Sequence, residues 1–150
     1  MKVLVFHIGP DRYGLPLAAI RSVMPLMALK ALPGAPEAVA GLMNLHGTGI
    51  PVIDVALIGG GAAAARRADT RIVLVDYTGP DGAVHPLGLV TERVLGVRDV
   101  DDAALASAGV LAAPFLDRVA GDAQGIVQLV APDRMLPDAL RALLFQDGPR

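Results

Sequence analysis

Cysteine and tryptophan are absent from this chain of 150 residues, and aromatic residues make up only 3% of it. The lack of cysteine excludes disulfides, thiolate nucleophiles and cysteine-based zinc sites. The scarcity of aromatic side chains removes the stacking platforms that single-stranded nucleic acids use. The 13 basic and 15 acidic residues give a net charge of −2, with no basic stripe to bind a phosphate backbone. We therefore expect no nucleic-acid partner.

Long hydrophobic runs are also missing, although hydrophobic residues make up 53% of the chain. Proline, glycine or a charge interrupts each run well before the roughly 18 residues that a membrane span needs. The N-terminal stretch "MKVLVFHIGPDRYG" has an apolar run that is too short for a signal peptide, and it has no small-residue cleavage site. These features favour a cytoplasmic protein without direct membrane insertion. The length of 150 residues suits one compact domain or two small lobes sharing a core.

The chain consists of short apolar segments separated by turn residues, which is typical of β-rich domains. A tight reversal is predicted at His46-Gly47, because glycine and threonine follow an apolar run there. The predicted strands cover residues 2–8, 13–19, 20–26, 41–46, 48–57, 70–79 and 125–131, with two or three more between 80 and 100.

Other segments predict helices or connections. Residues 35–40 are expected to form one helical turn, and residues 101–114 to be irregular or partly helical. Residues 132–145 place leucines at i, i+4, i+7 and i+8, which predicts an amphipathic helix. The stretch "GGGAAAARRAD", residues 59–69, predicts a flexible connection between two halves of the chain.

A nucleotide-binding alternative rests on the same glycines. Gly59, Gly61 and Ala64 satisfy G-x-G-x-x-A after an apolar strand, and Asp76 lies in the next strand, where it would meet ribose hydroxyls. Only about ten residues separate Gly61 from that next strand, whereas a parallel crossover needs a dozen or more. A small-molecule or nucleotide-binding regulatory module, or an enzyme using this loop, stays as the alternative to a binding domain.

Catalytic and metal-binding patterns are otherwise lacking. The histidines His7, His46 and His85 lie far apart without H-x-x-x-H or H-E-x-x-H spacing, and no G-x-S-x-G elbow is present. His7 and His85 are expected at solvated strand ends. We therefore predict a binding domain without catalytic activity, metal or cofactor.

Several ordered segments resemble the CheW-like family, whose members are adaptors that couple chemoreceptors to a histidine kinase. The segments are "VFHIGPDRYGLPLAAIRSV", "LPGAPEAVAGLMNLHGTGIPVIDV", "RIVLVDYTG", "LGLVTERVLGV" and "GIVQLVAPDRML". The second resembles the family signature P-x-x-P-x-x-(V/I)-x-G-(hydrophobic)-x-N-L-R-G-x-x-(V/I)-P-V-I-D-L. Its matching positions are Pro33, Pro36, Gly41, Asn44, Leu45, Gly47, Pro51, Val52, Ile53 and Asp54.

The resemblance implies a single mainly β domain over residues 1–150, made of two SH3-like five-stranded β-barrel lobes with short helices and a C-terminal helix. The lobes are expected at about 15–65 and 70–130, with the N-terminal strand and the C-terminal helix packing across them. The implied protein is a non-catalytic adaptor without cofactors, recruited to membrane-associated receptor arrays. Its implied partners are a chemoreceptor hairpin tip and the regulatory domain of a CheA-type histidine kinase.

Carried over by position, the resemblance implies a set of receptor-binding residues: Ile20, Ser22, Val23, Asn44, His46, Gly47, Ile72 and Gly88. Ordinary core packing is the alternative for the apolar members. Gly88 would allow close backbone approach, and a turn or bulge glycine is its alternative. Asp54 could equally cap the turn that follows its strand.

Two positions depart from the family pattern: His46 stands where the family usually has arginine, and Ser22 where it usually has glutamate. If those residues pair in typical members, losing both removes an ion pair without leaving either charge unpaired. Altered partner choice and neutral drift both explain the double change.

Residues 24–42 and 113–145 more particularly resemble the CheW-like proteins of Wsp-type systems. In those systems a receptor array drives a kinase whose response regulator makes cyclic di-GMP. The resemblance thus implies a pathway as well as a family.

Overall fold

The computed structural model describes residues 1–58, 61–101, 106–107, 116–122 and 125–145, in which ten strands and two short helices occur. The strands are β1 (Lys2–Ile8), β2 (Asp11–Pro16), β3 (Ile20–Pro25), β4 (Val39–Leu45), β5 (Thr48–Asp54), β6 (Arg71–Thr78), β7 (Val84–Asp99), β8 (Ala106–Ser107), β9 (Leu116–Asp122) and β10 (Gly125–Val130). The helices are α1 (Val55–Ile58) and α2 (Asp138–Leu144), and 3-10 turns cover Leu17–Ala19 and Pro132–Arg134.

The strands form two groups that share β7. Lobe 1 has the order β3-β6-β7-β5-β4, and lobe 2 the order β7-β1-β2-β10-β9-β8. The first half of β7 pairs with β6 and β5, and its second half pairs with β1. A bridge between Lys30 and Leu42, with N–H···O distances of 2.9 and 2.8 Å, joins the segment after β3 to the edge strand β4. Backbone pairing therefore continues around lobe 1.

This pairing corrects the lobe boundaries expected from the sequence. β6 and the first half of β7 pair with β3 and β5, so residues 71–91 belong with lobe 1. The two or three strands expected between residues 80 and 100 are one strand of 16 residues. Positive φ angles at Arg93 (45°) and Gly96 (107°) accompany a register shift between Val5 and His7 of β1, so the irregularity is a bulge that the strand continues through.

Three hydrophobic cores explain why so many strands are continuous apolar runs. The central core takes side chains from both lobes, including Phe6 of β1 and Val75 of β6. The opposite face of β6 puts Ile72 into the lobe 1 core, and the opposite face of β1 puts Val5 into the lobe 2 core. β1 and β6 are thus buried on both faces, which favours apolar residues at consecutive positions instead of alternation.

Two helix predictions need correction. Residues 35–40 are not helical, because β4 already begins at Val39 and the preceding residues form turns around Pro36. The helix expected over 132–145 is divided into the 3-10 turn and α2, since Pro137 stands at the N-cap of α2 and proline does not continue a helix from the preceding turn. No helix among the described residues has the length and hydropathy that crossing a membrane requires. Of residues 101–114, only 101 and 106–107 are described.

Residues 61–70, here called the strap, are anchored to lobe 1 by a buried carboxylate. Asp54, only 1% exposed, ends β5 and accepts hydrogen bonds from two backbone N–H groups. Its Oδ1 lies 3.1 Å from the nitrogen of Ala56, as expected for an acid capping the following turn. Its Oδ2 lies 2.9 Å from the nitrogen of Ala64, which belongs to the strap.

A second carboxylate holds the next residue of the strap, because Glu92 Oε1 accepts a hydrogen bond from the nitrogen of Ala65 at 3.0 Å. The methyl group of Ala64 lies in the lobe 1 core. The flexible connection predicted from composition is therefore wrong for residues 61–69, while Gly59 and Gly60 lie outside the described residues. Composition alone does not show that two distant acids bind this backbone.

We predict that Asp54→Ala lowers the free energy of unfolding by about 2–4 kcal/mol, because two buried N–H donors lose their acceptor. Asp54→Asn, which keeps one acceptor oxygen, should lose about half as much. Urea denaturation measures the change, and hydrogen exchange at Ala64 reports release of the strap. Asp69→Ala, at an exposed acid of the same strap, is the matched control. Equal stability of the Asp54→Ala and Asp69→Ala variants would contradict the anchoring role.

Candidate functional site

The turn between β4 and β5 is one exposed part of the predicted receptor-binding set. Leu45 pairs with Thr48, so His46 and Gly47 form a two-residue loop. Their φ angles of 52° and 87° are those of a type I′ turn, which matches the twist of the flanking strands. The tight reversal expected at this point is confirmed, and it places the His46 side chain at an exposed tip.

The residue before the turn stabilises it. Asn44 Oδ1 accepts a hydrogen bond from the nitrogen of Gly47 at 2.9 Å. Glycine suits the positive φ at position 47, and histidine is one of the few other residue types enriched in that conformation. Asn44 and Gly47 therefore shape the turn, while His46 is available for contacts.

β3 forms the other exposed part of the set. Ser22 and Val23 are exposed, Val23 by 43%, whereas Ile20 is half-buried and packs against the central core. A register shift against β6 lies between Ile20 and Ser22, and Arg21 at this irregularity forms an ion pair with Asp76 of β6. This ion pair beside Ser22 was not predictable from spacing, because its members meet only when β3 and β6 pair.

Ile72 and Gly88 occupy the interior, and their expected exposure in a groove is wrong. Ile72 is 0% exposed and belongs to the lobe 1 core. Gly88 is buried, and a Cβ atom placed on it would lie 2.8 Å from Cγ2 of Val52 and 3.2 Å from Cγ2 of Ile72. Both corrections have the same reason, which is that β6 and the first half of β7 are covered on both faces. Ile72 is therefore interior although β6 pairs with the surface strand β3, and Gly88 is interior between β5 and β6.

The structure thus divides the predicted set into two exposed groups and a buried pair. Ser22 and Val23 lie on β3, one edge of the lobe 1 strand order, while Asn44, His46 and Gly47 lie at the end of β4, the other edge. No strand pairing among the described residues joins the two exposed groups directly. The bridge at Lys30 connects the chain after β3 to β4, so both groups belong to the same lobe.

The nucleotide-binding alternative conflicts with the strand directions. A dinucleotide site requires parallel strands on either side of the glycine loop. Here β6, which follows the loop, runs antiparallel to both neighbours, β3 and β7. The nitrogen of Gly61 donates to the carbonyl oxygen of Ala56 at 3.0 Å, and Asp76 pairs with Arg21. The described part of this segment is therefore not arranged around a nucleotide; Gly59 lies outside it.

The other two histidines lie away from both exposed groups. His7 is half-buried, with Nδ1 buried and without a hydrogen-bond partner among the described residues, and His85 stacks on Phe145 with ring centroids 4.4 Å apart. Both histidines lie at strand ends as expected, His7 near the end of β1 and His85 near the start of β7, but they are half-buried and not fully solvated. Tyr77 also stacks on Phe145, with ring centroids 5.4 Å apart. Burial raises the pKa of the Tyr77 hydroxyl, which favours the neutral phenol.

An open cavity in lobe 2 does not coincide with the predicted set. An open cavity of about 660 Å³ lies beside His7, Arg12 and Gln128 in lobe 2, and none of the eight predicted residues lines it. No group of three or more histidine, aspartate or glutamate side chains among the described residues could hold a metal ion. This cavity is therefore separate from the exposed groups on lobe 1.

The model of the CheW-like domain family matches residues 2–140. The chain belongs to the CheW-like domain family. The chemotaxis protein CheW of Helicobacter pylori (strain ATCC 700392 / 26695) is 29% identical over 77 residues, which cover 51% of this chain and 47% of that protein. This chain thus matches about half the length of that curated relative.

The crystal structure of the scaffolding protein TtCheW from Thermoanaerobacter tengcongensis superposes with a TM-score of 0.81. The match covers 93% of this chain and 89% of that one, at 22% sequence identity. The fold is therefore that of CheW, a mainly β structure of two SH3-like lobes with few helices. The family and the fold expected from the resemblance are both confirmed.

We predict that Gly88→Ala destabilises the protein by about 1–3 kcal/mol, because the added methyl group overpacks the contact between Val52 and Ile72. Gly49→Ala is the matched control, since its new methyl group would meet only Cδ1 of Leu42 at an ordinary 3.7 Å. Thermal and urea denaturation of both variants measure the difference. If Gly88→Ala weakened a partner contact while leaving stability at the wild-type value, the interior assignment would be wrong.

Proposed function

We propose that this protein is a non-catalytic adaptor that couples a chemoreceptor to a CheA-type histidine kinase. The observation that carries the proposal is the CheW-like domain spanning residues 2–140. Relatives described as a chemotaxis protein and as a scaffolding protein support it. The proposal assigns the chain neither a chemical step nor a cofactor.

The receptor-binding surface we propose consists of the two exposed groups on lobe 1. Val23 offers apolar area at an exposed strand, and burial of such area supplies most of the affinity in protein interfaces. Ser22 beside it on β3, together with Asn44 and His46 in the second exposed group, adds polar groups that favour specificity. Ile20 of β3 is half-buried and packs against the central core. The occupant of this surface is the hairpin tip of the receptor.

The proposed mechanism requires no new chemistry, only two surfaces on one rigid chain. Holding receptor and kinase together raises the effective concentration of each for the other. The adaptor can change kinase activity only if it binds the receptor states with different free energies. Differences in how the receptor tip contacts β3 and the His46 turn would provide that preference.

We propose that His46 and Ser22 change which receptor the protein binds, relative to family members that carry arginine and glutamate at these positions. Both residues are exposed, so neither identity is required by core packing. The Arg21–Asp76 ion pair supplies charges of both signs beside Ser22, which stands where the family usually has glutamate. A receptor that complements this arrangement would differ from one that complements a glutamate-arginine pair.

The finer proposal is a Wsp-type pathway, in which the protein is recruited to membrane-associated receptor arrays and the output is cyclic di-GMP. Its support is the resemblance of residues 24–42 and 113–145. Deleting the gene should lower cellular cyclic di-GMP and leave swimming chemotaxis unchanged. The opposite pattern would place the adaptor in a motility pathway.

We predict that Val23→Asp weakens binding to the receptor's cytoplasmic fragment about tenfold or more, because a charge replaces apolar contact area. The thermal midpoint should stay near the wild-type value, since Val23 is 43% exposed. Val97→Asp, at a valine 50% exposed on lobe 2, is the control and should bind the receptor normally. Ile72→Asp should instead prevent stable folding. Unchanged receptor binding by Val23→Asp in calorimetry would remove β3 from the surface.

We predict that His46→Arg and Ser22→Glu together shift binding from the protein's own receptor toward foreign chemoreceptors. The wild-type protein and the two single variants are compared with the double variant, so that the contribution of each position is separated. Affinities for the two receptor types are measured in parallel. Identical affinities for all four proteins would show that these positions do not set partner choice.

A further inference from the structure

The strap presents two adjacent arginines, Arg66 and Arg67, on a fixed turn of the backbone. Thr70, 1% exposed, holds this turn from inside: its Oγ1 accepts a hydrogen bond from the nitrogen of Arg67 at 2.9 Å and donates to the carbonyl oxygen of Ala65 at 2.5 Å. The nitrogen of Thr70 donates back to the carbonyl oxygen of Arg67 at 3.1 Å. The backbone that carries both guanidinium groups is therefore ordered before any partner arrives.

The anchors on the N-terminal side are the carboxylates of Asp54 and Glu92, which bind the nitrogens of Ala64 and Ala65. On the C-terminal side, Arg71 Nη1 donates to the carbonyl oxygen of Ala68 at 2.5 Å and to that of Thr70 at 3.1 Å. Arg71 thus braces the turn and is engaged within the chain.

The side chains of Arg66 and Arg67 differ from that of Arg71 in their exposure and in their contacts. Both residues are exposed, and neither forms a side-chain hydrogen bond or an ion pair with the part of the chain that the structure describes. Asp69 is the one acidic residue within the strap. The strap therefore displays positive charge on a chain whose net charge is −2.

The arginine pair lies at the opposite end of lobe 1 from the His46 turn. β5 begins next to that turn at Thr48 and ends at Asp54, which binds the strap. Seven residues of extended strand separate the two ends by roughly 20 Å. A partner bound at the strap would therefore leave the His46 turn accessible, as an adaptor with two simultaneous partners requires.

We propose that Arg66 and Arg67 bind carboxylates on the regulatory domain of the kinase partner. The inference rests on the proposed adaptor function and adds the chemistry of its second surface. Guanidinium groups bind carboxylates through paired hydrogen bonds, which a lysine ammonium cannot reproduce. Because hydrogen bonds already fix the strap, its backbone loses little conformational freedom on binding.

An acidic protein surface fits these arginines better than the other anionic partners. Recognition of anionic lipids takes clusters of about four to eight basic residues, and the strap offers two. Nucleic acid binding draws on many phosphate contacts, for which a chain of net charge −2 offers no basic stripe. Two fixed guanidinium groups suit a small number of carboxylates at the margin of a protein interface.

The test compares two double variants with the same change of net charge. Arg66→Glu with Arg67→Glu should weaken binding to the purified kinase regulatory domain about tenfold, mainly through slower association, and leave affinity for the receptor fragment unchanged. Lys30→Glu with Arg98→Glu, at two exposed basic residues outside the strap, is the matched control and should bind both proteins normally. Surface plasmon resonance measures the rates, and thermal denaturation verifies that both variants fold.

Ionic strength gives an independent readout. Raising it from about 0.1 M to about 1 M shortens the Debye length from about 10 Å to about 3 Å, so wild-type association with the kinase domain should slow steeply and that of the strap variant only weakly. Arg66→Lys with Arg67→Lys should restore the salt dependence but only part of the affinity.

The outcomes separate the two levels of the proposal. If the wild-type chain binds neither the receptor fragment nor the kinase domain, the adaptor function is wrong. If it binds both and the strap reversal changes neither affinity nor salt dependence, only the arginine contact is wrong. Loss of binding to vesicles of phosphatidylserine and phosphatidylcholine, with kinase binding intact, would assign the strap to a membrane surface and also overturn the contact.

Discussion

Burial of β1 and β6 on both faces is the constraint on which the rest of this structure depends. Alternate side chains of each strand enter two different cores, so the central core is shared by both lobes and cannot be formed by either one alone. Gly88 lies at a point where this packing leaves no room for a side chain. Small changes in the interior therefore affect both lobes, because β1 and β6 each contribute side chains to the shared central core and to the core of one lobe.

Because the interior strands are covered on both faces, turns and edge strands are the elements accessible to other proteins in the described part of the chain. The His46 turn is set by backbone conformation, β3 exposes residues on one edge of lobe 1, and the strap is held by the buried carboxylate of Asp54. Each of these surfaces is ordered through hydrogen bonds to the body of the lobe or through packing on it. A scaffold that presents ordered surfaces loses little conformational entropy on binding, which suits the proposed adaptor function.

Features encoded by neighbouring residues were predictable from the sequence. The turn at His46-Gly47 depends on local conformational preference, the first strand on a run of apolar residues, and the cap at Asp54 on an acid that precedes a helical turn. Features that depend on distant residues were not. The sequence alone does not show whether Ile72 is a surface or a core residue, because that depends on β6 being buried on both faces. The composition of the alanine-rich strap predicts flexibility, because its contacts with Asp54 and Glu92 join residues that are distant in sequence.

The uninterrupted course of β7 through both lobes has a consequence for how this architecture can be divided. Lobe 1 takes its strands from one continuous stretch, β3 to the first half of β7, whereas lobe 2 takes β1 and β2 from before that stretch and β8, β9 and β10 from after it. β7, roughly 50 Å of extended backbone, completes both lobes. No single cut yields two intact lobes, because lobe 2 needs strands from both sides of lobe 1 in the sequence. A single crossover between two related genes therefore cannot exchange one lobe while leaving the other intact.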